Sequence, residues 1–152
     1  MKILVVDDNS DDRTLLRLIV ERYGHQPIEA GDGQEGLRMA AAHQPDLIIS
    51  DALMPGMDGF QFLKALKEDA TLRAIPFIFY SAIYRAEDDV ALARSLGAET
   101  YIFKPKAPQE FWTEVSRVRV RIKAPARFDA QPALVDIELL EFVRELLGTR
   151  VA

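Results

Sequence analysis

The chain has 152 residues, 49% hydrophobic and 28% charged, a mix that suits one main domain with a sizeable buried core. It contains no cysteine and only two histidines, His25 and His43, which excludes disulfides, thiolate catalysis and cysteine- or histidine-rich metal sites, so any metal must be a hard ion held by oxygen. The net charge of -5 is uneven, with 10 basic against 17 acidic side chains over residues 1–103 and 6 against 2 over residues 104–123, so a basic face for direct nucleic-acid binding is not expected.

Lys2–Val6 is a continuous apolar run of strand length, and beyond Asp7-Asp8-Asn9 the spacing of Leu15, Leu16, Leu18, Ile19 and Val20 predicts a helix that Gly24 stops. The same unit recurs four times, as a strand over 27–30 and a helix over 33–42, then 46–50 and 59–68, 76–81 and 86–96, and 100–103 and 108–122. Strands apolar at every position, such as Leu47-Ile48-Ile49 and Phe77-Ile78-Phe79, belong to a parallel sheet covered by helices on both faces. The expected fold is therefore α/β, a doubly wound five-stranded parallel sheet occupying residues 1–123. Arg117, Arg119, Arg121 and Lys123 read as the solvated end of its last helix.

Residues 124–131, bracketed by Pro125 and Pro132, read as a linker, and residues 132–148 as an extra C-terminal helix. Val135, Leu139, Phe142 and Leu146 line one side of that helix and Glu138, Glu141, Arg144 and Glu145 the other, so it is amphipathic and suited to dimerisation or partner coupling. The apolar runs fall far short of the roughly 20 residues of a membrane span. The N-terminus turns acidic at Asp7 before a signal peptide could form, so a cytoplasmic protein without membrane association is expected.

In an open parallel sheet, ligands bind beyond the carboxyl ends of the strands. There the sequence places Asp7 and Asp8, Asp51, Ser81, and Lys104 with Pro105. Three clustered carboxylates repel one another unless a cation neutralises them, and an all-oxygen set of this charge suits Mg²⁺, with Mn²⁺ able to substitute. Asp51 beside a metal, Lys104 and Ser81 supply the parts of phosphoryl transfer: a nucleophile with electrostatic stabilisation around it.

ILVVDDN at 3–9, GDGQEGL at 31–37, DALMPGMDGF at 51–60, YSA at 80–82, LGA at 96–98 and YIFKP at 101–105, in that order, resemble the receiver domain of two-component response regulators. The resemblance implies a flavodoxin-like sheet of order 2-1-3-4-5. It also implies phosphorylation-dependent signalling, in which Asp51 accepts a phosphoryl group from a histidine kinase or phosphotransfer protein and the conformational change regulates a partner or an attached output domain. Beyond its own phosphorylation and dephosphorylation such a domain is not an enzyme. By the same resemblance Asp7 and Asp8 are the acidic pair, and Mg²⁺ is held by Asp8, Asp51 and the backbone carbonyl of Leu53. Ser81 and Tyr101 form the switch, Lys104 faces the phosphoryl group, and the bond to Pro105 is cis.

Each residue also has a plainer reading. Asp7 and Asp8 could simply begin a helix that Asn9, Ser10 or Asp11 caps, Ser81 could be a cap, Lys104 a solvated lysine, and Met54, Met57, Phe60 and Phe62 core packing. Trp112 stands at the border of its helix's apolar face, as core edge or partner contact. Two other functions use similar parts. A phosphatase of the haloacid dehalogenase type needs a D-x-D motif after the first strand, which Asp7-Asp8-Asn9 lacks, and a flavodoxin needs phosphate-cradling amides where Asp7 and Asp8 would repel the phosphate.

Overall fold

The computed structural model describes residues 1–82, 86–118 and 120. The linker at 124–131 and the helix expected at 132–148 lie outside the described residues. Five strands and five helices alternate: β1 (Lys2–Val6), α1 (Ser10–Arg22), β2 (Gln26–Ala30), α2 (Gly33–His43), β3 (Leu47–Ser50), α3 (Gly59–Glu68), β4 (Phe77–Ser81), α4 (Ala86–Ser95), β5 (Thr100–Phe103) and α5 (Pro108–Ser116). The sheet is parallel throughout in the order β2-β1-β3-β4-β5, with Val5 beside both Glu29 and Ile49, and Phe79 beside Tyr101.

Alternation along the strands divides the core in two. Leu4, Val6, Ile48, Phe77 and Phe79 face α2, α3 and α4, where they meet Ala40, Phe62, Leu66 and Ala93. Ile3, Val5, Ile49, Ile78 and Ile102 face α1 and α5, where they meet Leu16, Val20, Phe111 and Val115. Each fully buried Leu, Ile or Phe contributes about 1.5–3 kcal/mol of transfer free energy, so two filled faces hold the sheet rigid beneath its carboxyl edge. Met54 and Phe62 are buried, and Met57 and Phe60 pack against the same cluster, so all four are core residues. Trp112 is also core: it is buried and stacks on Tyr23 at 4.6 Å and on His25 at 5.1 Å.

Helix α5 is shorter than its expected span of 108–122. Its last turn tightens into i→i+3 bonds, Arg117 N to Glu114 O at 3.3 Å and Val118 N to Val115 O at 3.1 Å. The sequence that follows alternates arginine with β-branched residues from Arg117 to Ile122, a period of two that does not favour continuing a helix. Among the described residues no helix is long and apolar enough to cross a membrane.

Candidate functional site

The site is built by extending the strand ladders one residue past the strand ends. Asp7 N donates to Ala30 O at 3.1 Å, Asp51 N to Val6 O at 2.9 Å and Lys104 N to Ser81 O at 2.8 Å, so the backbones of three charged residues are pinned to the sheet edge. Beyond Asp7, Asn9 caps α1 by accepting from the amides of Asp11 and Asp12, both at 3.0 Å. Arg13, one turn into that helix, donates to the Asp7 carbonyl at 2.8 Å and fixes the turn from below. Beyond Asp51 the loop is tied back by Gly59 N, which donates to Ala52 O at 2.9 Å.

The Asp51 carboxylate is held at both oxygens. Its Oδ1 accepts from Ser81 Oγ at 2.7 Å, from Ala52 N at 2.6 Å and from Leu53 N at 3.3 Å, while Oδ2 accepts from Lys104 Nζ at 3.1 Å. Ser81 is buried and Lys104 is 12% exposed, so neither is the solvated or merely capping residue that its type alone suggests. Lys104 Nζ also reaches Asp7 Oδ2 at 2.7 Å and Asp12 Oδ2 at 3.1 Å, and lies 5.5 Å from the centre of the Tyr80 ring. The Lys104–Pro105 peptide bond is cis.

Burial pushes the Asp7 carboxyl above its ordinary pKa, more strongly than the Lys104 hydrogen bond and the Asn9 amide pull it down. Burial alone would lower the Lys104 pKa, but the hydrogen bond to Asp7, the charges of Asp51 and Asp7 and the bond to Asp12 outweigh it, and the ammonium is held charged well above its ordinary range.

A divalent cation fits this edge. Asp7, Asp8 and Asp51 each offer a carboxylate oxygen, all within 4.8 Å of one another. The donor set is entirely hard oxygen, and one of the three acids is fully buried, where an uncompensated charge is costly. Asp8 is exposed and open to such an ion, and Leu53 is 64% exposed.

Tyr101 is buried against Phe79, with ring centroids 5.3 Å apart, and against Phe103 at 4.9 Å. Burial raises the pKa of its hydroxyl, with the nearby Ser81 side chain pulling the other way. Sequence reasoning missed Asp12, whose carboxylate pairs with the Lys104 ammonium. As the third residue of a capped helix it looks like an ordinary dipole-complementing acid, and only the angle at which α1 leaves the sheet brings it to Lys104.

The response regulator receiver domain model matches residues 3–116. The chain belongs to that family. Among curated proteins, it is 37% identical over 125 residues to the phosphate regulon transcriptional regulatory protein PhoB of Klebsiella pneumoniae, covering 82% of this chain and 54% of PhoB. It is 36% identical over 104 residues to protein PilH of Pseudomonas aeruginosa, covering 68% of this chain and 85% of PilH. Among solved structures, chemotaxis protein CheY4 of Vibrio cholerae superposes with a TM-score of 0.72 at 30% identity, over 78% of this chain and 98% of CheY4. The chain thus spans about half the length of PhoB but nearly all of CheY4. The expected flavodoxin-like order 2-1-3-4-5 is the observed one, and the domain is a signalling receiver of the two-component type rather than a conventional enzyme.

Proposed function

We propose that Asp51 is the phosphoacceptor of this receiver, charged by a histidine kinase or histidine phosphotransfer protein, or in their absence by a small donor such as acetyl phosphate. The observation that carries the reading is the pair of donors on one carboxylate: Ser81 Oγ at 2.7 Å from Oδ1 and Lys104 Nζ at 3.1 Å from Oδ2. In the transfer, an Asp51 carboxylate oxygen forms the bond to phosphorus. The bond from phosphorus to the donor's nitrogen or oxygen breaks, and the leaving group departs with the electron pair. Lys104 neutralises charge on the transferred group and Ser81 donates a hydrogen bond to one of its oxygens.

Asp7, Asp8, Asp51 and the Leu53 carbonyl would hold Mg²⁺, or Mn²⁺ in its place. The bound ion supplies the positive charge that lets an acidic edge accept more negative charge. Ser81 lies on Asp51 while Tyr101 is packed inward, and this is the arrangement that the resemblance associates with the signalling state. Ser81 and Tyr101 would then convert phosphorylation into a change of the surface around β5. The regulated element is either the 132–148 segment, through pairing with a second copy or a partner, or an attached output domain. In this reading the receiver makes no nucleic-acid contact of its own.

Intact-mass measurement after acetyl phosphate treatment tests the proposal. Wild type should gain one phosphoryl group in Mg²⁺ and none in excess chelator. A full-yield adduct on Asp51→Asn would overturn the assignment. Release of bound flavin on denaturation, or turnover of a phosphate ester, would instead support the flavodoxin or haloacid dehalogenase readings.

A further inference from the structure

We propose that Asp12 is a positioning residue that holds the Lys104 ammonium toward α1 and competes with the incoming phosphoryl group for it. The inference rests on the reading of Asp51 as phosphoacceptor and concerns what limits that reaction. An ammonium has three N–H donors, and those of Lys104 are all engaged: with Asp7 Oδ2 at 2.7 Å, Asp12 Oδ2 at 3.1 Å and Asp51 Oδ2 at 3.1 Å. To contact a phosphoryl oxygen, Lys104 must redirect one of them.

The three partners are not equally able to yield. Asp7 is fully buried, and withdrawing the ammonium would leave a buried carboxylate unpaired. Asp51 is the atom pair on which the new group forms. The Asp12 side chain is 45% exposed and stands at the rim of an apolar cleft of about 270 Å³ that it shares with Leu15, Lys104 and Pro105, so water can replace the ammonium there at little cost. Asp12 is therefore the contact that breaks. While it holds, it both occupies a donor and adds a negative charge beside the path of an anionic donor.

Neutralising Asp12 should accelerate the reaction. Under saturating Mg²⁺, Asp12→Asn is expected to take phosphoryl from acetyl phosphate onto Asp51, with acetate leaving, about two- to fivefold faster than wild type, the size of one half-exposed ion pair. The gain should narrow in high salt, which screens an exposed pair. Asp12→Glu, which keeps the charge and can still reach, should stay near the wild-type rate. Asp11→Asn removes an equal charge from the same helical turn without touching Lys104, and should change the rate less than twofold. In a Lys104→Ala background, Asp12→Asn should have no effect.

Far-UV circular dichroism and a urea midpoint establish that each variant is folded. An unchanged or slower Asp12→Asn, an equal gain in Asp11→Asn, or a gain that persists without Lys104 would each overturn the proposal while leaving Asp51 as acceptor. A wild type that takes up no phosphoryl group would overturn the parent reading and this one with it.

Discussion

Residues at the two ends of this sheet do opposite things with charge. At the carboxyl edge, Asp7, Asp8 and Asp51 are legible in the sequence because carboxylates directly after apolar strands are poorly placed for stability. Asp12 is not legible there, since its type and position are those of an ordinary helix start, and its contact depends on the tertiary angle of α1. At the amino edge, His25 carries no motif at all, yet its ring stacks on Trp112 and its Nδ1 accepts from the N-terminal amine at 3.0 Å. Burial, helped by the adjacent amine charge, lowers its pKa from 6.5 to about 4, with Asp46 opposing weakly. The fold thus binds neutral imidazole better than imidazolium, so the stability His25 contributes is complete above pH 6.5 and is lost as pH falls from there toward 4. Between pH 7 and pH 5, wild type should lose about 1–2 kcal/mol more than His25→Gln, after allowance for screening at a half-exposed ring. Urea titrations of the two proteins at matched pH, read by Trp112 fluorescence, check this. Parallel pH profiles would show that the imidazole titrates as it does in the unfolded chain.

At the scale of elements, the strand-helix alternation is legible because burial on both faces makes every strand residue apolar, whereas helix ends depend on local bonds that periodicity does not report. The expected tenth element ends early for that reason, where Arg117 begins an alternating arginine and β-branched run. The start of α3 shows how closely an element boundary can be coupled to chemistry. Asp58 and Gln61 form a reciprocal capping box, which sets Gly59 as the first helical residue directly against the loop that carries Asp51. A methyl group on Gly59 would run into the Asp51 carbonyl oxygen, with Ala52 Cα and Phe79 Cε1 each only 2.9 Å away. Two of those three obstacles are backbone or lie on the loop that carries Asp51, so the strain cannot be relieved by a side-chain rotation alone. Gly59→Ala should therefore destabilise the fold by about 1–3 kcal/mol, as overpacking does, and slow phosphorylation of Asp51 as well. Gly31→Ala is the control: its nearest neighbours would be 3.6 Å from the new methyl, and it should be near neutral. Chemical denaturation together with the phosphorylation rate reads both effects. An unchanged midpoint in Gly59→Ala would mean that α3 moves off the loop freely.

At the scale of the whole molecule, the receiver has its chemistry on one sheet edge and needs a second surface to transmit it. The sequence offers the 132–148 segment, where Val135, Leu139, Phe142 and Leu146 recur at spacings of 4, 3 and 4 and Leu140, Val143 and Leu147 widen the stripe. A stripe that broad is costly to leave in water, and the 4-3-4 spacing is the one that interlocks two helices, which favours pairing with a second copy over solvation. If pairing differs between the two states of the receiver, the phosphoryl group shifts the monomer-dimer balance by the difference in affinity and by nothing else. Sedimentation velocity of the full chain should then show dimer, enriched by beryllofluoride with Mg²⁺. A chain ending at Lys123, which retains all five strands and both core faces, should remain monomeric under the same conditions. A monomer in every case would remove self-association from the mechanism and leave this segment to pack on its own receiver or on another protein. A dimer that persists in the shortened chain would move the contact onto the receiver surface itself, where Leu15, Leu18 and Leu92 are the large apolar side chains exposed outside the Asp51 loop among the described residues.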